Sequence, residues 1–428
     1  MGNREASTIV PRRAHPNRPP TRTEPPMTAE RQEPVSPSVP FLAMFLALPV
    51  IGLAAGPLYA ALVFGPAGAL ALLAAARHHR LPAIDRGFGT LALAFAALAS
   101  AGTLWSIVPA HTAGAAAQIA LILTAALLVL ATPLPDPEAC RALTRLLPWT
   151  LALGVALLCV DTTLGYPFQK LAGLDGTKYS RGLDYLVLIA WPLLAHFVGE
   201  RRWPMAAMVA ALMAVAVTVG VSTTGALALM VGAAVLIFAA LARQAAGPAL
   251  FALVAALVAA LPFILRAFAE SRRALEPLLK TSGFHRLEIW DYMSARILEQ
   301  PLLGWGLLSA KSVPIRPEEL AGYRWVDAAG IYPHNQWLEL WLETGALGAA
   351  LALGLVGLVL WRVRRLAAGI QPFACAACAS ALTISWLNFE ITTDSWWAAL
   401  AASALLFKIV SALPPRPRPD AGCESTAS

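Results

Sequence analysis

Long apolar stretches alternate with short polar breaks along this chain, and a single long polar insert at 266–337 interrupts the pattern. The stretch 41–76 is apolar except where Gly56-Pro57 and Gly65-Pro66 break it. A spanning helix takes ~20 apolar residues, so this stretch suits two spans in a tight hairpin. Further apolar stretches fall at 88–106, 115–133, 148–165, 183–199, 204–221, 224–242, 248–266, 338–360, 372–389 and 395–412. The pattern predicts an all-α polytopic membrane protein with about twelve transmembrane helices and one long outer loop containing short helices. It divides into a tail at 1–40, nine spans over 41–265, the insert at 266–337, three spans over 338–412 and a second tail at 413–428.

Composition agrees with that division. Charged residues make up 13% of the chain, about half the ~25% of a soluble domain. The first forty residues are rich in Pro, Arg, Thr and Glu and have no apolar core, which predicts a disordered cytoplasmic tail rather than a signal peptide. The net charge of +7 sits in short loops and tails. That is the product of the positive-inside rule, and it argues against a nucleic-acid partner. With the N-terminus inside, Arg77, Arg80, Arg86, Arg141, Arg145, Arg201, Arg202, Arg243, Arg362, Arg364 and Arg365 all fall on the cytoplasmic side. The short outer loops hold only Lys170, Lys178 and Arg181. Both termini are therefore expected to be cytoplasmic, with the insert outside, in the periplasm if this is the inner membrane of a Gram-negative bacterium. Trp105, Trp149, Trp203, Trp337, Trp341 and Trp361 fall near span ends, as an aromatic belt would. Cys375 and Cys378 form a C-x-x-C inside an apolar span, where small packing residues are expected rather than metal ligands. No inverted repeat is visible and intramembrane ionisable residues are few, which argues against a transporter.

Three residues carry candidate chemistry. Arg286, Trp290, Met293 and Ile297 recur on one face of a helix expected over 285–299, closed by Pro301. An arginine in a first turn opposes the helix macrodipole. Such a residue either snorkels to the membrane interface or grips a phosphate bidentately. Arg181 lies in the loop 170–184, the one outer loop besides the insert with basic residues, and its outward charge needs a reason. His334, between Pro333 and Asn335, either caps the next helix or takes a proton near neutral pH. From it, Leu338, Trp341, Gly345 and Gly348 share one face. Glu339 and Glu343, one turn apart below His334, either pack or relay its proton. Asp291, Glu288, Glu318, Glu319 and Asp327 lack ligand spacing, so no metal or cofactor is expected.

The segments Arg286…Trp290…Glu299-Gln300-Pro301-Leu302-Leu303-Gly304-Trp305-Gly306 and His334-Asn335-Gln336-Trp337-Leu338-Glu339…Glu343-Thr344-Gly345-Ala346-Leu347-Gly348 together resemble the O-antigen ligase and polymerase superfamily. The resemblance implies a glycosyltransferase in the inner membrane that takes a glycan from undecaprenyl diphosphate. A ligase passes it to lipid A–core, and a polymerase passes it to another lipid-linked repeat. Arg286 and Arg181 would hold the diphosphate and His334 would act at the acceptor hydroxyl, with Lys178, Tyr332, Asn335, Trp290 and Glu339 lining the substrate site. Members often carry a Ser-Arg pair where the seventh and eighth spans meet. Here Ser222-Thr223-Thr224-Gly225 has no arginine, leaving Arg266, Arg272 and Arg273 as candidates.

The chemistry is coherent without the family. A diphosphate leaves readily once its charge is neutralised, the acceptor needs a base, and a single displacement inverts the anomeric centre. No metal is required if guanidinium groups supply the charge. O-antigen ligase is the leading expectation. O-antigen or exopolysaccharide polymerase is the alternative, followed by transfer of the glycan to a protein and then a transporter. Partners are the lipid-linked glycan, its glycan acceptor and membrane lipids.

Overall fold

Wherever the apolar pattern calls for a span, the chain forms a helix. The computed structural model describes residues 39–54, 56–171, 179–275, 281–314, 323 and 333–413. Its helices are α1 (Val39–Ala54), α2 (Gly56–Arg77), α3 (Arg86–Ala101), α4 (Pro109–Ala131), α5 (Pro137–Thr163), a short α6 (Pro167–Leu171), α7 (Tyr179–Gly199), α8 (Trp203–Val219), α9 (Thr223–Leu241), α10 (Arg243–Leu275), α11 (Thr281–Glu299), α12 (Gln336–Val363), α13 (Gln371–Leu387) and α14 (Asp394–Ala412). Local chemistry sets several starts. Asp85 accepts from the Gly87 and Phe88 amides at the head of α3, and Asp136 from the Ala139 amide at the head of α5, each satisfying an orphan donor. Proline occupies the first turn of α4, α5, α8 and α13, where its missing N–H costs nothing.

Among the described residues there is no strand. Among the described residues, nine helices are long and apolar enough to cross a membrane, and Phe41–Leu53, Trp203–Val219 and Gln371–Leu387 are shorter apolar helices. The protein is thus an all-α polytopic membrane protein. The dozen expected spans correspond to nine helices of full spanning length and three shorter ones.

Two main cores organise the bundle. The first centres on α7, whose Leu183, Tyr185, Leu186, Val187 and Ile189 are wholly buried, with α1, α2, α5, α8 and α14 around it. The second joins α3, α4, α10, α11 and α12 through residues such as Val258, Ile297 and Leu338. The connection between α13 and α14 spans the seam, with Phe389 in the first core and Ile391 in the second. Free Cys375 is buried in a smaller cluster, with Cys378 packed against it, as the packing reading expects.

The helix after His334 departs from the expected continuous face. α12 breaks at Gly345, which has φ 63° and ψ −162°. The loop at 301–306 fills the break: the Trp305 amide donates to Leu342 O at 2.8 Å, Gly306 to Glu343 O at 3.0 Å, Ala346 to Pro301 O at 2.8 Å and Leu347 to Leu302 O at 3.3 Å. Backbone groups left open in an apolar surrounding must find such partners. The glycines make the crossing possible. A Cβ on Gly304 would lie 2.5 Å from the Glu343 carbonyl carbon, and one on Gly345 would lie 2.4 Å from the Leu302 backbone.

Tryptophan placement also differs in part. Trp203 and Trp361 are exposed at helix ends, while Trp149 is exposed midway along α5 rather than at a span end. Trp337 is buried and its Nε1 donates to Ser385 Oγ at 3.0 Å, while that of Trp341 donates to Val258 O at 2.8 Å. These two join α12 to α13 and α10.

Candidate functional site

α11 begins at Thr281, four residues before the expected start. Arg286 therefore stands in the second turn, where opposition from the macrodipole has faded. Met293 and Ile297 are buried on the shared face, and Arg286 and Trp290 are half-buried at its head. The Arg286 guanidinium donates from Nη1 to Leu387 O at 3.3 Å. Leu387 closes α13, so the arginine meets the negative end of a helix. The end of α13 is thus a partner for its charge besides the snorkelling and phosphate readings.

His334 is fixed from both sides. Trp290 Nε1 donates to Pro333 O at 2.6 Å. Asn335 caps α12, its Oδ1 accepting from the Trp337 amide at 3.1 Å and the Leu338 amide at 3.0 Å. Trp290 and Asn335, expected to line the substrate site, thus hold the catalytic candidate between them. His334 itself has φ 49°, a left-handed conformation uncommon outside glycine and typical of constrained sites. Its pKa falls to about 4, first through burial and then through the positive charges of Arg286, His285 and Arg181. The imidazole is therefore neutral at physiological pH. The Arg286–Leu387 bond, the contact of Arg181 with Phe389 two residues on, and the Trp290–Pro333 bond bring Arg181, Arg286 and His334 to the same end of the bundle.

Arg181 lies in the first turn of α7 rather than in a loop. It is exposed, with its Cζ 5.9 Å from the centre of the Phe389 ring. Among the described residues its guanidinium makes no hydrogen bond or ion pair, so its five donors face open space. The head of α7 is anchored below it, where Tyr179 donates its hydroxyl to the buried Asp161 and the Phe168 amide donates to the same carboxylate at 2.6 Å. Lys178 and Tyr332 lie outside the described residues.

The remaining candidates separate. Glu339 is buried and accepts from the Ile391 amide at 3.0 Å, linking α12 to the α13–α14 connection. Glu343 is also buried, with the Leu308 and Ala310 amides nearest its carboxyl oxygens. Ser222 caps α9 through the Gly225 amide and donates to Asp184. Arg266 pairs with Asp291 at 2.9 Å, which also accepts from Tyr323 at 2.8 Å. The side chains of Arg272 and Arg273 lie outside the described residues.

Sequence reasoning missed Asp184 and Asn388. Asp184 counted as the edge of a loop, yet it is wholly buried and accepts from Asn388 Nδ2 at 2.9 Å. The signal was present: an aspartate stands before the apolar run Tyr185-Leu186-Val187-Leu188-Ile189, and acids inside a span are costly and retained for cause.

Comparison with known proteins follows the same region. Residues 208–353 match the profile of the O-antigen ligase family, a stretch that includes Arg286 and His334 and excludes Arg181. Three proteins named "Putative polysaccharide ligase" are similar to this chain. The one from Rickettsia typhi is 39% identical over 79 residues, covering 18% of this chain and 20% of that protein. The one from Rickettsia conorii is 31% identical over 120 residues, covering 27% and 29%. The one from Rickettsia felis is 26% identical over 226 residues, covering 51% and 54%. The chain therefore spans about half, or less, of the length of these relatives.

Proposed function

We propose that this chain, a member of the O-antigen ligase superfamily, transfers a glycan from undecaprenyl diphosphate to lipid A–core at the outer face of the inner membrane. The observation that carries the reading is His334, held in a left-handed conformation between the Trp290–Pro333 bond and the Asn335 cap, with Arg286 and Arg181 at the same end of the bundle. Arg181 and Arg286 hold the diphosphate. Its negative charge offsets theirs at His334 and raises the imidazole's basicity as the donor binds. The acceptor hydroxyl oxygen then attacks the anomeric carbon from the face opposite the diphosphate. His334 takes the hydroxyl proton, the bond from the anomeric carbon to the diphosphate oxygen breaks, and undecaprenyl diphosphate leaves with the bonding pair. One displacement inverts the anomeric centre. Trp290 and Asn335 hold the histidine in place, and lipid tails lie against the apolar flanks of the bundle.

Deletion of the gene tests the reaction. Lipid A–core without polymer, together with accumulating lipid-linked glycan, is the expected lipopolysaccharide pattern. Lipid A–core bearing single repeats would identify a polymerase instead. In complementation, Arg286→Ala and His334→Ala should each lower transfer by about a hundredfold or more, the usual size of a general acid–base contribution, while inserting normally. Full transfer by either variant overturns the site.

A further inference from the structure

The segment 387–391, between α13 and α14, touches every element that carries a site residue. Leu387 O accepts from Arg286. Asn388 donates to Asp184, one turn below Arg181 on α7. The Phe389 ring lies under the Arg181 guanidinium. The Ile391 amide donates to Glu339, five residues beyond His334.

The segment is also rigidly built. Asn388 is extended at φ −150° and ψ −179°, ending α13. Phe389 takes φ 56°, and its ring stacks against Trp396 at 4.7 Å and Tyr185 at 5.6 Å. Ile391 O accepts from Trp397 Nε1 at 2.8 Å, and Thr392 O from Gln118 Nε2 at 3.0 Å. A non-glycine residue in the left-handed region persists only where its surroundings over-determine it. These contacts supply that constraint across the seam of the two cores.

We infer that 387–391 is a positioning element, with Asn388 and Phe389 as its working residues, which sets the separation of Arg181 and Arg286 to that of a lipid-linked diphosphate. The inference rests on the diphosphate-holding role proposed for those arginines. Asn388 ties the segment to α7 through Asp184, and the Phe389 ring orients Arg181 by a cation–π contact. Neither residue touches the reacting atoms. Both act through the guanidinium groups.

The test uses the full-length protein in detergent, with undecaprenyl diphosphate as the binding probe and transfer kinetics as the second measurement. Asn388→Ala should weaken binding of the probe about tenfold, the order of one lost hydrogen bond. Its KM for the donor should rise by a similar factor, with the KM for the acceptor unchanged. Phe389→Leu keeps an apolar side chain while removing the ring face. It should raise the donor KM severalfold in the same selective way. If Asn388→Ala is lost to misfolding, Asn388→Ser carries the same comparison. A purely structural role would lower the folded yield and leave both KM values alone, which overturns the inference. Arg181→Gln and Arg286→Gln run beside these variants. Wild-type probe binding in both arginine variants would defeat the diphosphate reading itself. Loss of binding there, with wild-type donor KM in Asn388→Ala and Phe389→Leu, would defeat only the positioning role.

Discussion

His334 resists protonation first because it is partly buried and then because Arg286, and more weakly His285 and Arg181, disfavour a positive charge there. An ordinary histidine titrates near 6.5, and here the folded protein takes its proton only near pH 4. Between those values the unfolded chain binds more protons than the folded one. This site's contribution to stability is therefore complete above pH 6.5 and is lost as pH falls toward 4. The acid limb of kcat/KM, which reports the free enzyme, should lie near pH 4 to 5. Replacing Arg286 by Gln removes the largest of the charge effects and should move the imidazole's titration upward. NMR of labelled histidine reads this directly, with His334→Gln identifying the resonance among the seven histidines. A wild-type His334 titrating at 6.5 would contradict the geometry. Its residue type and neighbours were legible in the sequence. Its constraint was not, because it arises from a tryptophan forty-four positions earlier and from an asparagine that caps rather than binds.

At the scale of elements, the Pro-Leu-Leu-Gly-Trp-Gly loop and the broken α12 form one unit. The sequence shows the glycines and suggests close packing, but hydropathy treats 338–360 as one continuous span. The break is invisible because its backbone partners come from a loop some forty residues away. Gly304→Ala and Gly345→Ala each put a Cβ within 2.6 Å of backbone atoms in a left-handed conformation. Together these effects should cost roughly 3 kcal/mol or more. Thermal unfolding in detergent should show both variants much less stable than Gly114→Ala in α4, whose added Cβ meets nothing within 4 Å. Equal stability of all three would show that the crossing tolerates a side chain. Asp184 carries the complementary lesson. Its place at the edge of an apolar run made it look like a loop residue, and only the start of α7 at Tyr179 places it inside the bundle.

For the molecule as a whole, the placement of the apolar helices followed almost directly from apolar run length, because a bilayer allows backbone groups few alternatives to a helix. What run length could not give is which helix ends meet. The heads of α7, α12 and α14 and the tail of α13 converge at one end, and that end holds Arg181, Arg286 and His334. The charge pattern assigns this end to the outside, and cysteine labelling tests the assignment. In a background with the five native cysteines replaced, Val221→Cys between α8 and α9 and Leu302→Cys in the loop at 301–306 sit on the site's side, with exposures of 78% and 67%. Arg201→Cys and Arg365→Cys lie in the exposed turns at the opposite end. A membrane-impermeant maleimide should label the first pair in intact cells whose outer membrane has been opened. It should reach the second pair only after the inner membrane is broken. Labelling of Arg201→Cys in intact cells would place the arginines and histidine in the cytoplasm. A glycan acceptor on the outer leaflet could then not reach them.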